Sequence, residues 1–322
     1  MTKQKILVIK TGYSELLDGH TNSRKVSLGD ILRTTPILHL FKQDEVKWVT
    51  DLDAFPLLEG NPFISELLPF DLPTTLQLKS EEYDRVINLE KIPGICALAD
   101  EIKAKRNRYG FTFNPRTGKA EAYDNSCNIL AVGANSKLKK GNKKTFQELL
   151  FKMLGAKWKK EEYVLGYKPK TEECFDFILN TKVGLKWPTK SWPDQYWNEL
   201  EAKLVNGGFK VARQDKQDEK ILNNLYSYID WINQGKVIIS NDSLGLHLGI
   251  ALKKTVFGFF GSTPYSEIYF YNRGKAIVPD KNYDCMPCFS GTCIKEKSCM
   301  CDLLPEKAYA DIMDYIRDKK SQ

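Results

Sequence analysis

Polar residues and a histidine follow an apolar stretch in the second half of the chain. The stretch VIIS at 237–240 has the composition of a strand buried on both faces. Directly after it come Asn241, Asp242, Ser243 and His247. Backbone N–H groups at a helix start, with hydroxyl and imidazole donors beside them, bind phosphate groups. The pattern predicts an anion site, although a helix cap beside a structural histidine would use the same residue types.

A second candidate is the loop WPTKSWP at 187–193, which follows a predicted strand over residues 183–187. The loop carries Thr189 and Lys190 between two prolines that stiffen the backbone. A lysine ammonium is a compact positive charge that suits a diphosphate. An ordinary surface loop with a solvated lysine would contain the same residues. Both interpretations stay open for this loop taken alone.

The third candidate is the stretch SLGDILRTTP at 27–36, which is expected to begin the first helix. Ser27 and Asp30 have the spacing of a capping box, so a purely structural role would explain them. A carboxylate in the first helical turn is also kept ionised by the helix dipole. Such a group can take a proton from a substrate hydroxyl. Pro36 is expected to kink or restart the helix.

Cysteines are concentrated near the C-terminus, where five of the eight lie within residues 285–301. Four of them have a spacing that could surround a tetrahedral metal ion: Cys285, Cys288, Cys293 and Cys299. In a chain that starts without a secretory signal, such clustering indicates metal ligands or free thiols more than disulfides. A structural zinc or iron and a set of reduced thiols are the two main expectations. Catalysis by these thiols is not expected.

Short apolar stretches alternate with amphipathic ones along the chain, which predicts parallel sheets with crossover helices, formed twice. Strands are expected at 5–10, 46–50, 83–89, 108–111, 183–187, 209–213, 237–240 and 255–260. Helices are expected at 37–42, 92–105, 194–205 and 305–318. A polar, proline-containing segment between Leu165 and Glu173 is the expected join. The fold class is therefore α/β, with two domains over residues 1–168 and 169–322 that face a cleft.

The net charge of +7 favours anionic partners such as nucleotides, phosphorylated glycans or a lipid surface. The basic stretch KLKKGNKK at 137–144 lacks interleaved aromatic residues, so it indicates a solvated loop, and no nucleic acid is expected as a partner. No apolar run approaches the roughly 18 residues that a membrane span needs. A cytoplasmic protein is expected.

The three candidate stretches together resemble glycosyltransferase family 9, the ADP-heptose:lipopolysaccharide heptosyltransferases. SLGDILRTTP, WPTKSWP and NDSLGLH match motifs of the family in the family's order. The cysteine-rich segment before the last predicted helix, 285–306, also matches. Each motif is weak alone, but the set spans residues 5 to about 315. The resemblance implies a GT-B architecture of two Rossmann-like domains, with the last helix crossing back to the first.

The resemblance also implies a reaction and roles for single residues. The family moves heptose from ADP-heptose to a hydroxyl of the lipopolysaccharide core with inversion. The acceptor would bind the N-terminal domain and the nucleotide sugar the C-terminal one. Asp30 would be the general base, and Lys190 would stabilise the diphosphate leaving group. The other donor-binding residues would be Thr189, Asp242, Ser243, Leu244, Gly245 and His247. A lipid acceptor would allow peripheral contact with the inner face of the membrane.

Several alternatives remain beside this interpretation. The same fold could use another nucleotide sugar, or a protein or small-molecule acceptor. A non-catalytic nucleotide-binding or nucleic-acid-binding protein is the rival from another class. Asp51-Leu52-Asp53 imitates the D-x-D metal site of GT-A glycosyltransferases but is interpreted as structural, so no catalytic metal is required. The segment 11–26 lengthens the loop before SLGD relative to the family and is expected to reshape the acceptor pocket.

Overall fold

A computed structural model describes most of the chain: residues 3–13, 26–123, 126, 129, 136–281 and 283–320. Most of the predicted insertion at 11–26 therefore lies outside the described residues. The chain forms two compact units, Met1–Lys168 and Pro169–Gln322. Their boundary falls in the polar segment where the sequence predicts the join.

The first unit contains a six-stranded sheet in the order β3-β2-β1-β4-β5-β6. The strands are β1 Lys5–Ile9, β2 Glu45–Thr50, β3 Glu66–Pro69, β4 Glu82–Asn88, β5 Lys103–Asn114 and β6 Lys119–Ala122. The first five are parallel, and β6 pairs antiparallel with β5. After β1, the chain adds β2 and β3 on one side of this strand and then adds β4, β5 and β6 on its other side. The strand order therefore reverses between β1 and β4, which is where parallel sheets bind ligands.

The helices of the first unit are short. They are α1 Leu28–Thr34, α2 Phe55–Leu58, α3 Leu72–Ser80, α4 Pro93–Glu101, α5 Ser136–Gly141 and α6 Phe146–Met153. Pro36 lies in a 3₁₀ turn over Thr35–Phe41 that follows α1 directly, so the predicted restart of the helix is correct. The prediction of a loop for the basic stretch at 137–144 is partly wrong, because residues 137–141 belong to α5.

The second unit contains a five-stranded parallel sheet in the order β11-β10-β9-β7-β8. Its strands are β7 Phe175–Asn180, β8 Val211–Arg213, β9 Gly235–Asn241, β10 Thr255–Phe259 and β11 Gly274–Ile277. The neighbours β7 and β9 are separated in the chain by β8, which lies at the sheet edge. The order reverses between β7 and β9. The carboxyl ends of these two strands are thus the expected ligand site of this unit.

Helices of the second unit pack on this sheet around aromatic side chains. They are α7 Asp194–Asn206, α8 Glu219–Asn223, α9 Leu225–Asn233, α10 Leu244–Ala251 and α11 Pro305–Lys320. Trp192 packs against Trp197 and Phe259 at ring-centroid distances of 4.9 and 4.7 Å. Ala308 and Ile312 of α11 are buried in the same core. Through these contacts the last helix belongs to the second unit, and its expected return to the first stays a prediction.

Two predicted elements are wrong. The strand expected at 183–187 is a loop in which Leu185 is 78% exposed, and the strand lies earlier, at β7. The helix expected at 92–105 ends at Glu101, because Lys103 and Ala104 pair with β4 as the start of β5. Among the helices that the structure describes, none has both the length and the apolar character needed to cross a bilayer.

Candidate functional site

The carboxyl ends of β7 and β9 bring two of the predicted stretches together. Asp242 follows β9, and Lys190 lies in a 3₁₀ turn, Pro188–Lys190, in the loop after β7. Lys190 Nζ lies 2.8 Å from Asp242 Oδ2, and both side chains are mostly buried. Thr263, in the loop after β10, donates a hydrogen bond to the same carboxylate oxygen at 2.7 Å. The site therefore has a lysine charge whose position is fixed by a buried carboxylate.

The ionisation of Asp242 depends on these neighbours. Burial by itself would raise the pKa of the carboxyl group. The Lys190 ammonium, His247 and the hydrogen bonds from Lys190 and Thr263 act in the opposite sense and bring the pKa to about 2. Asp242 is thus ionised at neutral pH and keeps the ammonium group of Lys190 at the strand end.

The lowered pKa of Asp242 predicts a loss of stability in acid. A carboxyl group whose pKa is about 2 in the folded protein, against an ordinary value of 3.8, contributes about 2 kcal/mol above pH 4. That contribution is lost as the pH falls through 2. Urea unfolding followed by tryptophan fluorescence between pH 6 and pH 2 measures the loss. Asp242→Asn should lose less stability over this range than the parent, and an equally steep loss would contradict the assignment.

Asn180, the last residue of β7, organises the tip of β9. Its side-chain amide donates to the hydroxyl oxygens of Ser240 at 2.9 Å and Ser243 at 2.8 Å. Its Oδ1 accepts a hydrogen bond from the Tyr228 hydroxyl at 2.5 Å. Ser243 occupies the N-cap position of α10 but makes no side-chain capping bond, so the capping interpretation of this serine is wrong. The hydroxyl group is instead oriented by a buried network.

The glycine at 245 has a steric role in this network. A Cβ atom there would lie 2.4 Å from Asn180 Cγ, which is closer than side chains approach. Gly245 therefore lets the first turn of α10 pack directly on Asn180. Leu244 is partly exposed at the start of this helix, and His247 is only 5% exposed. His247 is thus a buried histidine that lies close enough to Asp242 to help lower the pKa of its carboxyl group.

Asn241 connects the two predicted loops. Its Oδ1 accepts a hydrogen bond from the Trp192 backbone N–H at 3.2 Å, and its Nδ2 donates to the Thr181 carbonyl at 2.7 Å. Asn241 is fully buried. Thr189 does not join this network, because its hydroxyl donates to the Ser290 carbonyl at 2.5 Å. Sequence reasoning missed Asn180, and it did not assign a role to Asn241 although this residue begins the N-D-S pattern.

Asp30 lies in α1 of the first unit. Ser27 Oγ donates to Asp30 Oδ2 at 3.0 Å, and Arg33 Nε lies 2.8 Å from Asp30 Oδ1. Ser27 is the N-cap residue but makes no side-chain bond to the helix backbone, so the predicted capping box does not form. The Arg33 guanidinium also stacks 3.9 Å from the centre of the Phe146 ring. The carboxylate is therefore held in one orientation, as a general base requires.

Further charged groups lie where the strand order of the first sheet reverses. Lys10 Nζ is 3.0 Å from Glu90 Oε1, and both side chains are buried. The Gly12 N–H donates to the same oxygen at 2.8 Å. Burial and the nearby charges of Lys10 and Lys139 lower the pKa of Lys91 to about 8. Sequence reasoning missed these residues, although Glu90 and Lys91 directly follow a predicted strand.

Asp51 has a local structural role. Its carboxylate accepts a hydrogen bond from the Asp53 N–H at 2.9 Å and caps the 3₁₀ turn Leu52–Ala54. The Tyr13 hydroxyl donates to the same side chain. These contacts agree with the structural interpretation of the D-x-D sequence.

The cysteines at 285, 288, 293, 299 and 301 are free thiols. Burial and the nearby thiols of Cys288, Cys285 and Cys293 raise the pKa of Cys299, so the four predicted ligands lie in one region. Within the described part of the chain, no three thiol, imidazole or carboxylate groups are arranged to hold a metal ion. The structure as it stands does not fit a bound metal, and the metal site stays a prediction.

Comparisons with known proteins show which proteins this chain is similar to. The chain is 30% identical over 320 residues to lipooligosaccharide heptosyltransferase 2 of Campylobacter jejuni subsp. jejuni serotype O:2, covering 90% of this chain and 96% of that protein. Two solved structures share the fold. The E. coli ADP-heptose lps heptosyltransferase II has a TM-score of 0.63 at 14% identity, covering 98% of this chain and 99% of that one. E. coli heptosyltransferase WaaC with ADP-2-deoxy-2-fluoro heptose has a TM-score of 0.61 at 15% identity, covering 96% of this chain and 99% of that one.

These similarities confirm the predicted architecture of two parallel-sheet α/β units. The model of glycosyltransferase family 9 (heptosyltransferase) matches residues 74–299, which is more than half of the chain. The match includes Lys190, Asp242 and the four predicted cysteine ligands, and Asp30 lies before it. The chain belongs to glycosyltransferase family 9.

Proposed function

We propose that this protein transfers heptose from ADP-heptose to a hydroxyl group of a lipopolysaccharide core or a related glycan, with inversion at the anomeric carbon. The observation that carries the proposal is the Lys190–Asp242 pair at the strand-order reversal of the second sheet. The identities of the sugar and the nucleotide in this proposal are taken from the names of the relatives.

The second unit would bind the donor. Lys190 would place its ammonium group against the diphosphate, whose negative charge grows as the bond to the sugar breaks. A lysine ammonium has three donor hydrogens, so it can keep its contact with Asp242 while it binds phosphate oxygens. Ser243 and the N-terminal N–H groups of α10 lie beside this pair and would complete the contact with the diphosphate. A catalytic metal ion is not required by this arrangement.

The first unit would bind the acceptor and supply the base. Asp30 would take the proton from the acceptor hydroxyl as its oxygen attacks the anomeric carbon. An attack from the face opposite the diphosphate forms the new glycosidic bond in one displacement, and this inverts the configuration. Ser27 and Arg33 orient the carboxylate for the proton transfer.

The lipid part of such an acceptor would bring the enzyme to the inner face of a membrane as a peripheral protein. The net charge of +7 would favour an anionic lipid surface. A structural zinc or iron at the cysteine-rich segment is a separate proposal. It would require Cys285, Cys288, Cys293 and Cys299 to rearrange, because they are not arranged to hold a metal ion in the described part of the chain.

A thermal-shift panel with ADP, UDP, GDP, CDP and NAD tests the donor assignment. ADP at about 100 times its dissociation constant should add about 2.7 kcal/mol to the free energy of unfolding. We expect a shift with ADP and none with the other nucleotides at the same concentration. A shift with UDP or GDP alone would keep sugar transfer but exclude ADP-heptose as the donor. No shift with any of them would argue against nucleotide-sugar binding.

A further inference from the structure

The cysteine-rich segment contacts the loop that carries Lys190. The Thr189 hydroxyl donates to the Ser290 carbonyl at 2.5 Å. Gly291 packs so closely that a Cβ atom there would lie 2.7 Å from the Lys186 carbonyl oxygen. The backbone of the segment therefore lies directly against the loop, at the Pro188–Lys190 turn and just before it.

The same segment also contacts the loop after β10. The Phe289 N–H donates to the Ser262 carbonyl at 2.9 Å. The next residue of that loop, Thr263, donates to Asp242. One short stretch, Phe289–Ser290–Gly291, thus contacts both the loop that carries Lys190 and the loop that carries Thr263, the hydrogen-bond partner of Asp242. We call these three residues the brace.

The other end of the Lys190 loop is fixed independently. Trp192 Nε1 donates to the Leu303 carbonyl at 2.8 Å, and the Trp192 N–H donates to Asn241. Between these anchors and the end of β7, the turn that presents Lys190 is held by local bonds, such as Lys190 N–H to the Trp187 carbonyl at 3.0 Å. The brace adds contacts from outside the loop, at Thr189 and Lys186, which these local bonds do not provide.

We propose that the brace positions Lys190, and that Thr189 acts through Ser290 rather than as a ligand of the diphosphate. The identity of the ligand rests on the function proposed above. A displacement of about 1 Å in a group that stabilises the reaction can cost about 10²-fold in rate. Gly291 has no side chain that could bind the diphosphate, so an effect of changing it on ADP binding would be transmitted through the loops that the brace contacts.

Three variants test the brace: Gly291→Ala, Thr189→Val and their combination. Gly291→Ala forces the segment away from the Lys186 carbonyl, and Thr189→Val removes the hydrogen bond to Ser290. Gly184→Ala is the matched control, because a Cβ atom at this glycine of the same loop meets nothing within 4 Å. Hydrogen exchange of residues 187–193 is measured without ligand. ADP affinity is then measured by calorimetry, and KM for donor and acceptor in the transfer assay.

We expect exchange at least fivefold faster in both single variants, with parent-like exchange in the control. The dissociation constant of ADP and the KM for the donor should rise about fivefold or more, with KM for the acceptor unchanged. ADP affinity in the double variant should be no lower than in the more impaired single variant, since both changes disrupt the same contact between the brace and the Lys190 loop.

Parent-like exchange in both single variants would overturn the proposal, whatever nucleotide the protein binds. A loss of ADP affinity in Thr189→Val but not in Gly291→Ala would also overturn the proposal, because Thr189 would then be a direct ligand. Faster exchange with unchanged ADP affinity would overturn it as well, since the order of the loop would not matter to binding. If the parent itself does not bind ADP, the donor assignment fails, and the exchange data still decide whether the brace holds the loop.

Discussion

Replacing Asp30 by asparagine is expected to lower the rate of sugar transfer by about 10²- to 10⁴-fold, the usual contribution of a general base. Asparagine has the shape of aspartate but cannot accept a proton at neutral pH. The affinity for ADP should stay at the parent value, because the diphosphate is assigned to residues of the second unit. Turnover at saturating donor and acceptor, with calorimetry for ADP, measures both quantities.

The fold should tolerate the Asp30→Asn change. The asparagine side-chain oxygen can still accept hydrogen bonds from Ser27 and Arg33, so little stability should be lost. Asp53→Asn is a suitable control, because Asp53 is an exposed carboxylate of the same unit. It removes the same charge and should keep the parent rate. Transfer at the parent rate by Asp30→Asn would show that another group is the base. A loss of ADP affinity in this variant would show that Asp30 has a role at the donor.

The alternation of apolar strands and amphipathic helices was enough to predict the fold class. Stretches such as VIIS at 237–240 are apolar on both faces, which is typical of strands in a covered parallel sheet. The wrong strand at 183–187 shows the limit of this pattern. Val183, Leu185 and Trp187 alternate with other residues as in a half-buried strand, yet the strand forms at FDFILN, 175–180, whose apolar residues Phe177–Leu179 are buried in the core.

The charged members of the site could be predicted, whereas the amides that arrange them could not. Lys190 and Asp242 stand out in the sequence because each is a charged residue soon after a predicted apolar strand, where a charged side chain indicates a binding site or an ion pair. Asn180 acts only because β7 lies next to β9, and the chain order places β8 between them. Likewise, the contact of Thr189 with Ser290 joins residues far apart in the sequence. Such contacts follow from strand order and loop packing, which residue types alone do not reveal.

Replacing Lys190 by methionine is expected to lower the turnover by about 10²- to 10³-fold, as the loss of one preorganised charge at a reacting oxygen does. Methionine keeps most of the length of the side chain but cannot compensate the charge on the leaving diphosphate. The variant should also be less stable, because Asp242 would remain as a buried carboxylate without its cation. Transfer kinetics and urea unfolding at neutral pH measure the two effects.

The double variant Lys190→Met/Asp242→Asn separates these effects. Removing the unpaired carboxylate should recover much of the lost stability, while the turnover should stay low because the ammonium group is still missing. Lys210→Met controls for net charge, since Lys210 is exposed and precedes β8, at the end of the sheet opposite the site. It should leave turnover unchanged. A double variant that regains turnover with its stability would mean that Lys190 only neutralises Asp242, and the diphosphate would then need another cation.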